Sequence, residues 1–292
     1  MKKFLKYIIC LTMMLALVGC QKTKDESDKV KILCPVGAPS LAFVGEYENI
    51  IDDGEIDFVD GSDQLIAELS KADSEYDIIV APINVGAKLI AANQTDYKLK
   101  AILTWGNLYL VGTSQDALKE EGEIALFGEG AVPQKIYETV NVDTTLEGKY
   151  YQSATLVQQQ LLSGKVHVGL LAEPAATATV AKSNNQLSII ANLQELYGGN
   201  GYPQAAVFVK DGKNFDQLFD SIDHFTNNGY DGLQEGLETI GVENLSLPSV
   251  KITIKSIDRQ NVHYKEASEC QNDIKDFLKL FNIEYTDDML AS

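Results

Sequence analysis

The titratable and nucleophilic residues of this chain are arranged in a way that argues against catalysis. Its three histidines, His167, His224 and His263, fall in separate expected elements, and none has a partner at the spacing a metal site needs. His167 lies between Val166 and Val168 in an apolar run, the usual setting of a buried or edge histidine and not of a general base. Gly128-Glu129-Gly130-Ala131 has the opening of a dinucleotide loop but not the full GxGxxG, and the sequence holds no GxSxG and no phosphate-binding P-loop. No cofactor and no metal are therefore expected. What remains suits recognition. Trp105 and Asn107 flank a glycine just after an apolar strand: the indole either stacks on a planar or cationic ligand or plugs the edge of a lobe, and the amide can both donate and accept. Tyr202 and Gln204 sit at and after the strongest breaker cluster, 198–203, where Tyr202 is either a ligand contact or a hinge packer.

The chain begins MKKFLKYIICLTMMLALVGC. Lys2, Lys3 and Lys6 make a basic start, 4–17 an apolar core, and Leu17-Val18-Gly19-Cys20 a small-residue end, the layout of an export signal. The apolar run is short for a bilayer span, which needs about 20 residues. These residues resemble bacterial lipoprotein precursors, whose lipobox fits 17–20. The resemblance implies cleavage before Cys20 and lipid on its thiol, placing the protein at the outer face of the cytoplasmic membrane. The polar stretch 20–29 then reads as a flexible tether.

The rest is long enough for two α/β lobes. At 45% hydrophobic and 23% charged it has the composition of a folded protein, and a formal charge of −18, more negative still once the leading lysines leave, disfavours nucleic acid as a partner. Beyond the signal only Cys34 and Cys270 remain. They either pair after export or stay as buried thiols, and their places in an apolar strand and at a helix start favour the thiols.

Strands are expected at 30–36, 56–59 and 76–81, each followed by a helical pattern, with Asn84 capping the third helix. Such a βαβαβα order with continuously apolar strands implies a largely parallel sheet covered on both faces. Two strand-like pieces flank Trp105, and from 124 a new strand and helix series begins, closing with the breaker cluster before a strand at 204–209. The layout predicts a first lobe from 30–111 and 205–292 and a second from 112–204, joined by crossings near 109–113 and 203–207. Small molecules favour the cleft between such lobes. A capping box, Ser268-x-x-Gln271, is expected to start the last helix.

Gly37-Ala38-Pro39-Ser40-Leu41-Ala42, Tyr76-Asp77-Ile78-Ile79-Val80-Ala81-Pro82, Ala172-Glu173-Pro174 and Arg259-Gln260-Asn261-Val262 give the chain a wider likeness. With them it resembles the solute-binding lipoproteins of bacterial ABC importers, in the group of nitrate, sulfonate and taurine binders and of binders of thiamine pyrimidine precursors. The resemblance implies the type II periplasmic-binding-protein fold: α/β, two lobes, each a mixed sheet flanked by helices, joined by two crossings. It also implies a monomer without enzymatic activity that delivers a small solute to a membrane permease. Mapped onto this sequence, the cleft would be lined by Pro39, Ser40 and Leu41, by Pro82 and Asn84, and by Gly128, Glu129 and Gly130, where helix amides can hold an anionic group. Glu173 would face the ligand or brace its loop. Two carboxylates, Glu129 and Glu173, near one pocket count against a sulfonate or nitrate and favour an amine-bearing or aromatic heterocyclic solute. The other readings are a surface lipoprotein with an adhesive or structural role, and a hydrolase built on the Glu129 and Glu173 pair.

Overall fold

The computed structural model describes residues 29–198, 201–210, 212, 213 and 215–291. Cys20, the leader and nearly all of the tether lie outside the described residues. The chain opens with β1 (Val30–Pro35), β2 (Gly54–Val59), β3 (Ile78–Pro82) and β4 (Tyr97–Thr104). It continues through β5 (Leu108–Gly112), β6 (Glu123–Phe127), β7 (Glu147–Tyr151), β8 (Val168–Ala172) and β9 (Ser188–Asn192), and later adds β10 (Ala205–Lys210) and β11 (Val262–Glu266).

Two mixed sheets result, one ordered β11-β4-β10-β3-β1-β2 and the other β7-β6-β8-β5-β9. In the first, β1 runs parallel to β2 and β3, while β10 is antiparallel to β3 and β4. In the second, β6 is parallel to β7 and β8, and β5 is antiparallel to β8 and β9.

The continuously apolar strands explain why both sheets are covered on two faces. Successive side chains of a strand point to opposite sides, so Leu33, Ile79 and Ala81 enter one core while Ile32, Cys34, Ile78 and Val80 enter another. The second core is closed by the 3-10 segment Ala38–Glu46 and by helices Asp216–Asn227 and Leu233–Ile240. The first core continues from one sheet into the other through Trp105, Leu108, Leu193 and Tyr202. Cys34 and Cys270 are both free and buried.

The structure corrects several sequence expectations. Leu108–Gly112 is not a tail of the first lobe: its five residues are all buried and pair with β8 on one edge and β9 on the other. The outward crossing is therefore 105–107, ahead of β5. Asn84 lies inside helix Ile83–Ala91, which Pro82 precedes, and does not cap it. The last helix, Gln271–Lys279, starts after Cys270 without a side-chain cap, and Gln271 Nε2 instead donates to Ser268 O. Strand β11 lies outside the strands expected from the sequence: Val-His-Tyr-Lys-Glu alternates apolar and polar residues, but over only five positions directly after a helix.

Both crossings depend on glycine. Gly106 has φ +81°, and a Cβ there would fall 2.5 Å from the Tyr202 ring; Gly201 has φ +98°, and a Cβ would fall 2.1 Å from Trp105 O. Left-handed backbone and close approach coincide at both. Gly106→Ala and Gly201→Ala are each expected to destabilise the protein by about 1–3 kcal/mol, read as a lower urea midpoint. A wild-type midpoint for both variants would show that the crossings are loosely packed.

Candidate functional site

The C-terminal ends of β3 and β4 and the start of β10 are tied together by backbone bonds. Ile83 N–H donates to Gln204 O at 2.9 Å, Gln204 N–H to Thr104 O at 2.9 Å, and Tyr202 N–H to Trp105 O at 3.2 Å. On the side of the second sheet, Glu173 N–H donates to Asn107 O at 2.9 Å and Asn107 Nδ2 donates to Glu173 O at 3.2 Å. These bonds run through Gln204, Asn107 and Glu173 and through Ile83, the chain neighbour of Asn84, so that four residues expected from the sequence to contact ligand lie along the segments joining the two sheets.

Asn84 Oδ1, Asn107 Oδ1 and Gln204 Oε1 are buried there without a hydrogen-bond partner. A buried polar atom left unpaired costs about 1–3 kcal/mol, so native proteins keep few of them. Asn107 is 5% exposed. Its amide cannot be turned round to relieve the oxygen, because the nitrogen end already donates to Glu173 O. Asn107 Oδ1 is thus an acceptor in want of a donor, and the amides of Asn84 and Gln204, oriented as they stand, add two more.

Glu173 is committed within the protein. Its side chain is fully buried, and Oε1 accepts from Arg259 Nε at 2.7 Å and from Thr177 Oγ1 at 2.7 Å. Oε2 accepts from Thr177 N–H at 2.9 Å, in the first turn of helix Ala175–Lys182, where the helix dipole favours an anion. Arg259 Nη2 also donates to Thr177 Oγ1 at 2.6 Å. Arg259 O accepts from the Tyr109 hydroxyl at 2.9 Å, and burial pushes that phenol up to about 12, so it stays protonated as the donor. Glu173 thus has an arginine as its counter-ion, and Glu129 is exposed. The expectation of two carboxylates free to meet a cationic ligand is corrected for Glu173, and so is its use in a hydrolase-like pair. Arg259 and Thr177 were not singled out from the sequence; only the Arg-Gln-Asn-Val motif pointed to that region.

Other expected contacts are occupied by packing. Trp105 is 1% exposed, its ring stacked on His263 at 5.3 Å with Nε1 donating to His263 O. Burial, and then the Lys265 charge, lowers the His263 imidazole to about 4, so the stacked ring is neutral at ordinary pH. Tyr202 is fully buried, stacked on Phe277 at 5.8 Å. Leu41 lies in the core, and the Ser40 hydroxyl donates to Gly37 O. Pro39, in the 3-10 segment, and Pro82, at the end of β3, are half-buried. At the second-sheet turn Gly128 is half-buried, and Gly130 N–H donates to Gln134 Oε1 at 2.6 Å, so this amide is taken by its own helix.

A concavity of about 360 Å³ lined by Glu46, Asp220, His224 and Asp231 lies on the outer side of helix Asp216–Asn227. It is open and acidic, and none of the orphaned buried atoms lines it. Among the described residues no cluster of His, Cys, Asp and Glu is placed to hold a metal ion, and no helix is long and apolar enough to cross a membrane.

Known structures share this arrangement. An ABC transporter from Parabacteroides distasonis superposes with a TM-score of 0.72 at 25% identity, covering 87% of this chain and 92% of the other. The periplasmic aliphatic sulphonate binding protein of Escherichia coli gives 0.64 at 12% identity, with 87% of each chain covered. The fold is that of the periplasmic binding proteins. A putative nitrate transport protein from Thermoplasma volcanium shares this fold at a TM-score of 0.53 and 10% identity, over 88% of this chain and 96% of that one. The structural neighbours thus include members of the solute-binding group that the sequence motifs suggest. No family model and no curated protein matches the sequence itself.

Within this periplasmic-binding fold the Arg259 and Glu173 pair can be tested directly. Arg259→Met strands a buried carboxylate and is expected to cost on the order of 3 kcal/mol in urea unfolding. Adding Glu173→Gln should recover part of that loss, since the neutral amide needs no counter-ion. Losses that simply add would show that the two residues act independently.

Proposed function

We propose that this protein is an extracytoplasmic receptor that binds a small solute between its two sheets and passes it to an ABC import permease. The observation that carries this reading is the set of orphaned acceptors, Asn84 Oδ1, Asn107 Oδ1 and Gln204 Oε1, gathered where the strand ends of both sheets meet. The fold and its solute-binding neighbours support it. The bodies built on the two sheets would close over the solute about 105–107 and 201–204, burying it from both sides. Acceptors in want of donors favour a solute bearing N–H or O–H groups, an amine-bearing or aromatic heterocyclic compound, over a nitrate or sulfonate that offers acceptors alone. The commitment of Glu173 to Arg259 supports binding without catalysis. Lipid on Cys20 would hold the receptor at the outer face of the cytoplasmic membrane, with the polar tether giving it reach.

A thermal-shift panel of amines, pyrimidines, carboxamides, amino acids, sulfonates and nitrate, followed by calorimetry, is expected to find a donor-bearing solute that raises the melting temperature. Asn84→Leu should abolish its binding. A panel in which nothing stabilises the protein would remove the basis for a receptor. For the anchor, Cys20→Ser expressed from the full chain in a bacterial host should move the protein from the membrane fraction to the soluble one; unchanged fractionation would refute lipid attachment at Cys20.

A further inference from the structure

The segment leading into β11 joins three of the loops around this site. Upstream of it, Leu245 O accepts from Gly37 N–H at 2.9 Å, at the loop after β1. Helix Val250–Lys255 then packs against helix Ala175–Lys182, which belongs to the second sheet. Helix Ile257–Gln260 follows and brings Arg259 to Glu173 and Thr177. Next, Asn261 exchanges two bonds with Trp105 at the crossing, one from Trp105 N–H to Asn261 O at 3.0 Å and one from Asn261 Nδ2 to Trp105 O at 2.7 Å.

Two residues of this segment, Thr253 and Gln260, are fully buried, and each keeps a polar atom without a partner. Gln260 Nε2 donates to Thr253 O at 3.2 Å and to Ser256 Oγ at 3.1 Å. That fixes the amide, leaving Oε1 as the orphaned end, close to the residue whose hydroxyl, Thr253 Oγ1, is the other orphan. An amide oxygen can only accept, and a hydroxyl can donate. The two together match a group that offers a donor beside an acceptor. Arg259, the residue before Gln260, has its charge matched by Glu173.

We infer that Thr253 and Gln260 form a further wall of the solute site and read a neutral group with adjacent donor and acceptor, a carboxamide or the amino–imine edge of an aminopyrimidine. This rests on the receptor reading above and assigns to it residues outside the strand-end loops. On this reading the unpartnered oxygens of Asn84, Asn107, Gln204 and Gln260 would act as acceptors to one solute, with the Thr253 hydroxyl as its donor. A solute built only of acceptor oxygens fits such a wall poorly.

Thermal shift with nicotinamide, cytosine, ethanesulfonate and nitrate tests this on wild type, Thr253→Val, Thr253→Ser and Gln260→Met. Thr253→Val should melt at or above wild type without solute, because it removes an unpaired hydroxyl at nearly constant shape. Nicotinamide or cytosine should raise the wild-type melting temperature, and that rise should be lost in Thr253→Val and Gln260→Met and kept in Thr253→Ser. An equal rise in all variants, or a rise with the anions alone, overturns this wall while the receptor reading stands. No rise with these four, where another solute of the wider panel stabilises the protein, overturns only the wall; no rise with any solute overturns both. A Thr253→Val protein that melts well below wild type also overturns it, since the hydroxyl then has a structural partner.

Discussion

Two sheets that share one apolar core have to be joined by chain segments whose backbone groups are out of reach of water. Here that constraint is met at the Trp105 peptide. Its carbonyl accepts from Tyr202 N–H and from Asn261 Nδ2, and its N–H donates to Asn261 O. One residue on the outward crossing thereby satisfies the return crossing and the approach to β11 at once. The indole, stacked on His263, seals the same point from the side. Everything proposed for the site depends on this junction, because it sets Asn107 and Gln204 at the strand ends and brings the segment before β11 alongside them.

The junction also settles what the charged groups near it can do. Glu173 is held by Asn107 through two backbone-level bonds and by Thr177 through its carboxylate, so its side chain is fixed inside the protein before any solute is considered. A buried carboxylate without a counter-ion would be expelled or protonated. Arg259 supplies the counter-ion from the far side of the second crossing, which makes the pair a bond between the segment before β11 and the second sheet. The pairing leaves the unmet needs of the proposed site to amide oxygens and a hydroxyl in place of charges, despite the strongly acidic composition of the whole chain. Net charge describes the surface; what a buried site prefers is set by the few groups left without partners.

The same logic separates the residues proposed to recognise solute from those that only pack. Trp105 and Tyr202 have the aromatic faces that a planar solute would use, but protein rings stack on both, and both are buried. Asn107 and Gln204 are loop amides and Asn84 sits in the first turn of a helix, yet each retains a buried acceptor. In a closed, well-packed region the polar atoms left unmatched mark the site more sharply than the aromatic residues around it.

Much of this architecture was legible in the residues themselves. Continuous apolar runs such as 78–81, alternating with amphipathic helices, are enough to require sheets covered on both faces, since strands so apolar have no solvent side. The outward crossing was expected near 109–113 and lies ahead of it at 105–107; Asn107 and Gln204 stood out as polar residues beside strands, and Asn84 was suggested by the family likeness. Local sequence put nearly all of β5 in the first lobe and the structure puts it in the second sheet, because five buried apolar residues fit either sheet until their pairing partners are present. Nor did local sequence show that Glu173 is already neutralised by Arg259, 86 positions away in the chain. The orphaned atoms of Thr253 and Gln260 were equally hidden: whether an amide or hydroxyl is satisfied depends on every neighbour within about 3 Å, and those neighbours come from segments that only the tertiary fold brings together.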